Sequence, residues 1–318
     1  MSFFLNKKVL VTGGTGFVGS WFVDSLLSKG AFVRTTVHNR QPHRSHSKLE
    51  TCQVDLTIQK QANEACKDID YVFHAAGAVS AAGVTTASNP LSPITENLVL
   101  TTRVLQAAWS QNVQRILLFS SSTGYPEFDR PVKEDDFWDG ETHPSYFGYG
   151  WMRRYLERIA EFAHQRSEMK VALCRPTAVY GERDDFDPVT SHVIPALIRR
   201  AIAKENPFVV WGAPTVTRDF LHIQDLVEGC LLLLEKYPTC DPVNIGYGKT
   251  TTISEIVEYI LQGSGHESAK VEFDESKPST IPFRSVNVEK AKSLLNFEPS
   301  ISLKAGLKRT IDWYRSAK

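Results

Sequence analysis

The chain has 318 residues, and nowhere among them is there an apolar run of the roughly 18 residues that a membrane-spanning helix requires. It also lacks an excess of charge. Lys plus Arg and Asp plus Glu number 36 each, so the net charge is zero, which argues against a general partner for nucleic acid or a membrane surface. Cysteine is scarce. Cys52, Cys66, Cys174, Cys230 and Cys240 are odd in number and scattered, with no C-x-x-C, and they read as reduced thiols of a cytoplasmic protein. The histidines form no H-E-x-x-H. His43 and His46 sit close together in a basic loop, but no cysteine or carboxylate cluster joins them, so no metal site is expected. Near the start, Lys7 and Lys8 lie between two short apolar stretches, the wrong order for a signal peptide. Repeats, low-complexity tracts and long linkers are missing too. What is present is ordinary for a globular protein: 42% hydrophobic and 23% charged residues exclude a disordered or fibrous chain.

The first half alternates short apolar runs with amphipathic stretches, the pattern of a parallel sheet with crossover helices. Strands are predicted over 9–11, 32–37, 71–75, 115–120 and 171–174, and helices over 20–29, 96–111 and up to 166, with Gly30 ending the first and a small-residue loop over 76–88. After Arg175-Pro176 the texture changes. Gly and Pro become frequent, and helical segments such as 254–261 and 303–314 are mixed with aromatic and charged residues. The length suits one large α/β domain or two sharing an interface. We divide it into a dinucleotide-binding domain over 1–175 and a region over 176–318 that forms the other wall of a cleft, with some of its elements returning to the first domain.

The run Thr12-Gly13-Gly14-Thr15-Gly16-Phe17-Val18-Gly19 follows the first strand and opens the first helix. It contains G-x-G-x-x-G in the strand–turn–helix setting that gives the motif its meaning. Gly13, Thr15, Gly16, Phe17, Val18 and Gly19 are therefore assigned to a dinucleotide, whose pyrophosphate meets backbone N–H groups at a helix N-terminus. An NAD site places Asp or Glu about 20 residues on. Here Arg34, His38, Arg40 and Arg44 occupy that stretch. A cationic loop suits a 2′-phosphate, so the expected cofactor is NADP(H), with NAD(H) the alternative, and His38 and Arg40 are its expected ligands. Asp55 is assigned to the adenine.

Ser120-Ser121-Ser122-Thr123-Gly124-Tyr125 ends a strand at the carboxyl edge of the sheet, where open α/β sheets bind ligands. Tyr149 and Arg153 follow at i, i+4, so they share one helix face. A cation beside a phenol favours its anion and suits Tyr149 for proton transfer. At these residues the chain resembles the extended short-chain dehydrogenase/reductases, whose patterns are T-G-x-x-G-x-x-G, a serine after the middle strand, and Y-x-x-x-K. The resemblance implies a Rossmann-type doubly wound parallel sheet with a smaller C-terminal α/β substrate-binding domain. It puts Ser121 in the serine role, Tyr149 in the tyrosine role, and Arg153 where the family has lysine. The literal Y-x-x-x-K, Tyr314 to Lys318, lies away from any strand end and reads as chance. The resemblance also assigns Leu56, Ala75, Ala76, Pro176 and Val179 to the cofactor.

In the second half, Tyr180-Gly181-Glu182-Arg183-Asp184-Asp185-Phe186-Asp187-Pro188 and Ser191-His192-Val193-Ile194-Pro195-Ala196-Leu197 are similar to the GDP-L-fucose synthases. So are Val210-Trp211-Gly212, Arg218-Asp219-Phe220-Leu221-His222 and Phe273-Asp274-Glu275-Ser276-Lys277-Pro278. By that resemblance Trp211, Arg218 and Lys277 hold a nucleotide diphosphate, and Val193 and Leu197 line the base pocket, with His192 beside them. Core packing is the competing reading for Val193 and Leu197. The synthases epimerise C3 and C5 with a Cys and a His, and those positions hold Thr123 and Arg183, which cannot readily shuttle protons. Ala178 is a further departure, where relatives often have Asn. The expectation is a nucleotide-sugar oxidoreductase acting at C4 of a GDP-hexose or GDP-heptose without C3/C5 epimerisation. A 4-epimerase with retained NAD(P) and a non-catalytic NADP(H)-binding sensor are the alternatives. A homodimer is implied by the resemblance alone.

Overall fold

The computed structural model describes residues 2–38, 40–77, 89–276 and 281–317. The first half alternates β1 (Lys8–Thr12), α1 (Phe17–Ser28), β2 (Phe32–Val37), β3 (Leu49–Gln53), α2 (Gln59–Cys66), β4 (Tyr71–His74), α3 (Leu91–Ser110), β5 (Arg115–Phe119), α4 (Phe147–Arg166) and β6 (Lys170–Pro176). There follow β7 (Ala178–Tyr180), α5 (Val193–Ile202), β8 (Phe208–Trp211), β9 (Thr217–His222), α6 (Ile223–Lys236), β10 (Val243–Ile245), β11 (Thr250–Thr252), α7 (Ile253–Gly263), β12 (Val271–Asp274), β13 (Phe283–Arg284), α8 (Glu289–Leu295) and α9 (Leu303–Ser316).

Seven parallel strands form the main sheet in the order β10-β6-β5-β4-β1-β2-β3. The apolar runs of β1, β4 and β5 are buried on both faces, as central strands of a doubly covered sheet must be. One face packs on α1, α6 and α8 through Phe22, Leu26, Leu226, Cys230 and Leu295. The other packs on α2, α3 and α4 through Ala62, Val104, Ala108, Ala160 and Ala163. Each fully buried Val, Leu or Phe contributes about 1.5–3 kcal/mol, so these two layers hold the sheet rigid beneath the site. Residues beyond 176 return to this unit, since β10 pairs with β6 and α6 covers α1's face. A separate cluster of Ile194, Leu197, Phe208, Phe220, Ile256, Ile260 and Ile311 forms the second core, around β9, which pairs with β7, β11 and β13.

Helix α1 begins three residues before the predicted start, because its first turn is built from the glycine run rather than from periodic apolar residues. Gly30 does end it: at φ +85 its N–H reaches Leu27 O at 3.0 Å, and Ala31 N reaches Leu26 O at 3.1 Å. Helix α3 starts at Leu91 rather than at 96, since Pro93 is tolerated in a first turn. Most of the predicted 76–88 loop lies outside the described residues.

Candidate active site

β1 and β4 are neighbours whose chain connections leave in opposite directions, so a crevice opens at their carboxyl ends. There the chain turns at Gly13. Its φ is +67, and a Cβ on it would lie 2.8 Å from Ala76 Cα, so only glycine lets the β1 turn close against the end of β4. Gly13 N–H donates to Thr36 Oγ1 at 2.9 Å, and Ala76 N–H donates to Thr12 Oγ1 at 3.1 Å. Thr12 in turn meets His74 Nδ1 at 2.8 Å, and His74 Nε2 meets Thr101 Oγ1 at 3.2 Å. Burial, with the Arg153 charge behind it, pulls His74 down to about 3, so it is a neutral strut under the crevice. Gly16 caps α1 without any side-chain bond, so among the described residues the first N–H groups of the helix have no side-chain cap. Leu56 is buried, and Asp55 is held below the ordinary carboxylate range by Thr57 hydrogen bonds, with the nearby His38 helping.

The cationic stretch divides. Arg34 points to the other end of the sheet, donating to Glu50, Ala65 O and Lys67 O, so it is no part of a 2′-phosphate site. Arg44 and His43 bond Asp24, and His46 accepts from Lys48 N. His38 and Arg40 remain exposed on the loop.

At the end of β5, Ser121 opens a single 3-10 turn. Its Oγ accepts from Thr123 N at 3.2 Å and from Thr123 Oγ1 at 2.9 Å. With Thr123 N–H donating to it, the Ser121 hydroxyl is free to turn its proton outward. Tyr149 stands in the first turn of α4, and Arg153 one turn later. Arg153 Nη2 donates to Tyr149 Oη at 2.5 Å, its Nη1 donates to Phe119 O at 2.9 Å, and its guanidinium lies 4.9 Å from the Tyr149 ring centre. Gly150 brings α4 close, since a Cβ there would lie 2.7 Å from Thr123 O. Arg154 clamps the same turn through Gly124 O at 2.9 Å.

Outside the main sheet, β13 sets Arg284 beside Arg218 of β9 in parallel register. Arg284 Nη2 donates to Ser122 Oγ at 2.7 Å, and its guanidinium lies 5.0 Å from the Tyr146 ring centre. Burial and the Arg284 charge pull Arg218 down to about 10. Two adjoining guanidiniums repel each other, and a dianion relieves that repulsion. Arg284 was not singled out from sequence. It sits in a two-residue strand with no motif around it, and only the pairing with Arg218 reveals it.

The other assigned residues fall as follows. Trp211 is 68% exposed at the end of β8, and Val193 is 40% exposed at the start of α5, whereas Leu197 at 4% belongs to the second core. His192 is the exposed N-cap residue of α5. Pro176 ends β6, and Val179 of β7 packs on the main core. Lys277 lies outside the described residues. Arg183 is drawn to α1, where its Nη2 meets Asp24 Oδ2 at 2.8 Å. Tyr314 stacks on Phe186, their ring centres 4.2 Å apart, in the second core.

These residues fit a dinucleotide. The glycine turn leaves backbone rather than side chains facing the crevice, the α1 N-terminus is bare, and Arg153 Nε is buried with no hydrogen-bond partner among the described residues. An acceptor such as a ribose hydroxyl would satisfy such a donor.

Residues 9–246 match the profile of the NAD dependent epimerase/dehydratase family. GDP-L-fucose synthase 1 of Arabidopsis thaliana is 31% identical, over 97% of this chain and 93% of that protein. A dTDP-4-dehydro-6-deoxy-D-allose reductase of Streptomyces is 29% identical, over 98% and 97%. The crystal structure of a UDP-glucose 4-epimerase from Thermotoga maritima shares the fold, with a TM-score of 0.86 at 24% identity over 98% of this chain and 99% of that one. The chain belongs to the NAD dependent epimerase/dehydratase family.

Proposed function

We propose that this NAD(P)-dependent enzyme is an NADP(H)-dependent oxidoreductase acting at C4 of a GDP-linked 4-keto-hexose or heptose, without epimerising C3 or C5. The observation that carries the reading is the pairing of Tyr149 with Arg153 beside Ser121, at the carboxyl edge of the sheet and next to the glycine turn. When bound, the nicotinamide supplies or accepts the hydride. Gly13, Gly16 and the first N–H groups of α1 hold the pyrophosphate, His38 and Arg40 the 2′-phosphate, and Arg153 the nicotinamide ribose. Ser121 donates a hydrogen bond to the C4 oxygen. Tyr149 exchanges a proton with that oxygen, and Arg153, already donating to the phenol oxygen, stabilises the negative charge left there.

Arg218 and Arg284 suit the nucleotide diphosphate, with Trp211 and Lys277 beside them, and Val193 suits the base. The sugar then lies between the 1–175 domain and the 176–318 region. The absence of epimerisation rests on Thr123, which donates to Ser121, and on Arg183, which is engaged by Asp24. Neither presents a group that exchanges protons with carbon near neutral pH. The relative that is a reductase supports a keto-reducing reaction. The exposed stripe Phe147, Trp151, Tyr155 and Phe162 on α4, with Trp109 on α3, supports a homodimer. The free thiols and balanced charge support a cytoplasmic location. In the test, the protein is incubated with a GDP-4-keto-6-deoxy-hexose and NADPH in deuterated water, and the product is read by NMR. NADPH oxidation with C3 and C5 free of deuterium is expected. Enzyme-dependent label at either carbon defeats the reading.

A further inference from the structure

Asp24 stands two turns into α1 and gathers three basic side chains from two separate loops. Its Oδ1 accepts from Arg44 Nη1 at 2.9 Å, and its Oδ2 accepts from Arg183 Nη2 at 2.8 Å and meets His43 Nε2 at 3.1 Å. His43 and Arg44 belong to the β2–β3 connection that also carries His38 and Arg40. Arg183 belongs to the turn after β7, on the substrate side. The same face of α1 presents Trp21, whose Nε1 donates to Glu182 O at 3.0 Å and whose ring centre lies 4.9 Å from the Arg183 guanidinium. Arg183 has φ +70, a conformation an arginine keeps only where its surroundings hold it.

We propose that Asp24 is a positioning residue shared by the two ligands. Through His43 and Arg44 it holds the loop that presents His38 and Arg40 to the 2′-phosphate, and through Arg183 it holds the turn that flanks the nucleotide sugar. The inference rests on the NADP(H) reading above. Each bond by itself is modest, because the side chains are partly exposed: 20% for Asp24, 47% for Arg44 and 28% for Arg183. The carboxylate is common to all three, so removing it releases both loops at once, and the ordering cost of each then falls on the binding step.

The test uses the full-length parent, Asp24→Asn, Arg44→Ala and Arg183→Ala, each titrated calorimetrically with NADPH, with NADH and with GDP-mannose as the sugar-side probe. Asp24→Asn is expected to raise the Kd for NADPH on the order of 3- to 10-fold and to weaken GDP-mannose as well, while NADH moves less than about twofold. Arg44→Ala should reproduce only the NADPH effect, and Arg183→Ala only the GDP-mannose effect. General loosening of the fold weakens NADH and NADPH alike, so the ratio between them separates positioning from damage. If Asp24→Asn does not fold, the two arginine variants carry the test alone. A parent that binds NADH as tightly as NADPH overturns the cofactor reading, and the cofactor half of the proposal with it. A parent that prefers NADPH, with that preference intact in Asp24→Asn and Arg44→Ala, leaves the reading standing and overturns the role of Asp24.

Discussion

Arg153→Ala removes a cation that donates to Tyr149 Oη at 2.5 Å and to Phe119 O at 2.9 Å. Each bond from a charged donor contributes about 1.5–3 kcal/mol. If the bond to the phenol matters only as the C4 oxygen changes charge, its loss slows turnover on the order of 10- to 150-fold. Loss of the Phe119 bond acts on stability instead, leaving a half-buried carbonyl without that donor at a cost of at most about 1–3 kcal/mol. Thermal melts therefore separate the two effects. Arg153→Lys keeps the charge but replaces a planar fork with a single ammonium, which cannot serve both acceptors as the guanidinium does, so partial activity is expected. Tyr149→Phe removes the proton itself and should slow turnover at least as far as Arg153→Ala. The assay is steady-state oxidation of NADPH with a GDP-4-keto-6-deoxy-hexose, at cofactor concentrations set from the measured Kd of each variant. An Arg153→Ala enzyme that is folded and turns over like the parent refutes the lysine role of Arg153 and weakens the assignment of Tyr149.

Three further outcomes are expected. His74 is held at about 3, so as pH falls below about 6.5 the unfolded chain takes up a proton that the folded chain refuses, and stability is lost at about 1.4 kcal/mol per pH unit; His74→Gln should escape that loss in urea melts between pH 6.5 and 4.5, and identical pH slopes in the two proteins count against it. Burial lifts Asp184 to about 7, and its Oδ2 has no hydrogen-bond partner among the described residues. The folded chain thus keeps a proton that the unfolded chain releases above about 3.9, and stability is lost as pH rises toward 7; Asp184→Asn should gain about 2–4 kcal/mol on the parent between pH 4 and pH 8, and a gain independent of pH argues against a buried proton. Arg40→Ala should raise the Kd for NADPH more than that for NADH, on the order of 3- to 10-fold and less at high salt; tight NADH binding indifferent to salt and to this change removes the cationic-loop argument.

The elements legible in the sequence were those whose signal is local. β2 matches its predicted bounds because Phe32–Val37 is rich in β-branched residues. Tyr149 and Arg153 meet because helical spacing alone fixes an i, i+4 pair. β3 and α2 went unread: Leu49–Gln53 is a largely exposed edge strand without alternation, and Gln59–Cys66 buries only Ala62, Ala65 and Cys66. Charge was legible as composition but not as partnership. Arg34, His38, Arg40 and Arg44 look alike in one dimension, and only the sheet shows that Arg34 emerges at its opposite end while Arg44 folds back onto α1. Arg284 was hidden for the same reason, since its meaning comes from the strand 66 residues earlier with which it pairs.

Two positions at which the resemblance drawn from the sequence implies a proton-carrying side chain hold arginine here, and an arginine in a protein does not give up its proton. At 153 the guanidinium supplies a fixed positive charge and a donor to both Tyr149 and Phe119, which is what the proposed role asks for. At 183 the guanidinium is engaged by Asp24. What is left near the sheet edge is a set of hydroxyls with one polarity. Thr123 donates to Ser121, Arg153 donates to Tyr149, and the protons of Ser121 and Tyr149 are the two with no acceptor in that chain. On the reading proposed above, the Ser121 and Tyr149 hydroxyls serve an oxygen that gains negative charge, as the C4 oxygen does when hydride reaches its carbon. Among the described residues, Thr123 and Arg183 are not bases of the kind that withdraws a proton from C3 or C5. Because reduction and oxidation at C4 pass through one transition state, these donors would serve that oxygen in either direction of hydride transfer, whichever sugar is bound.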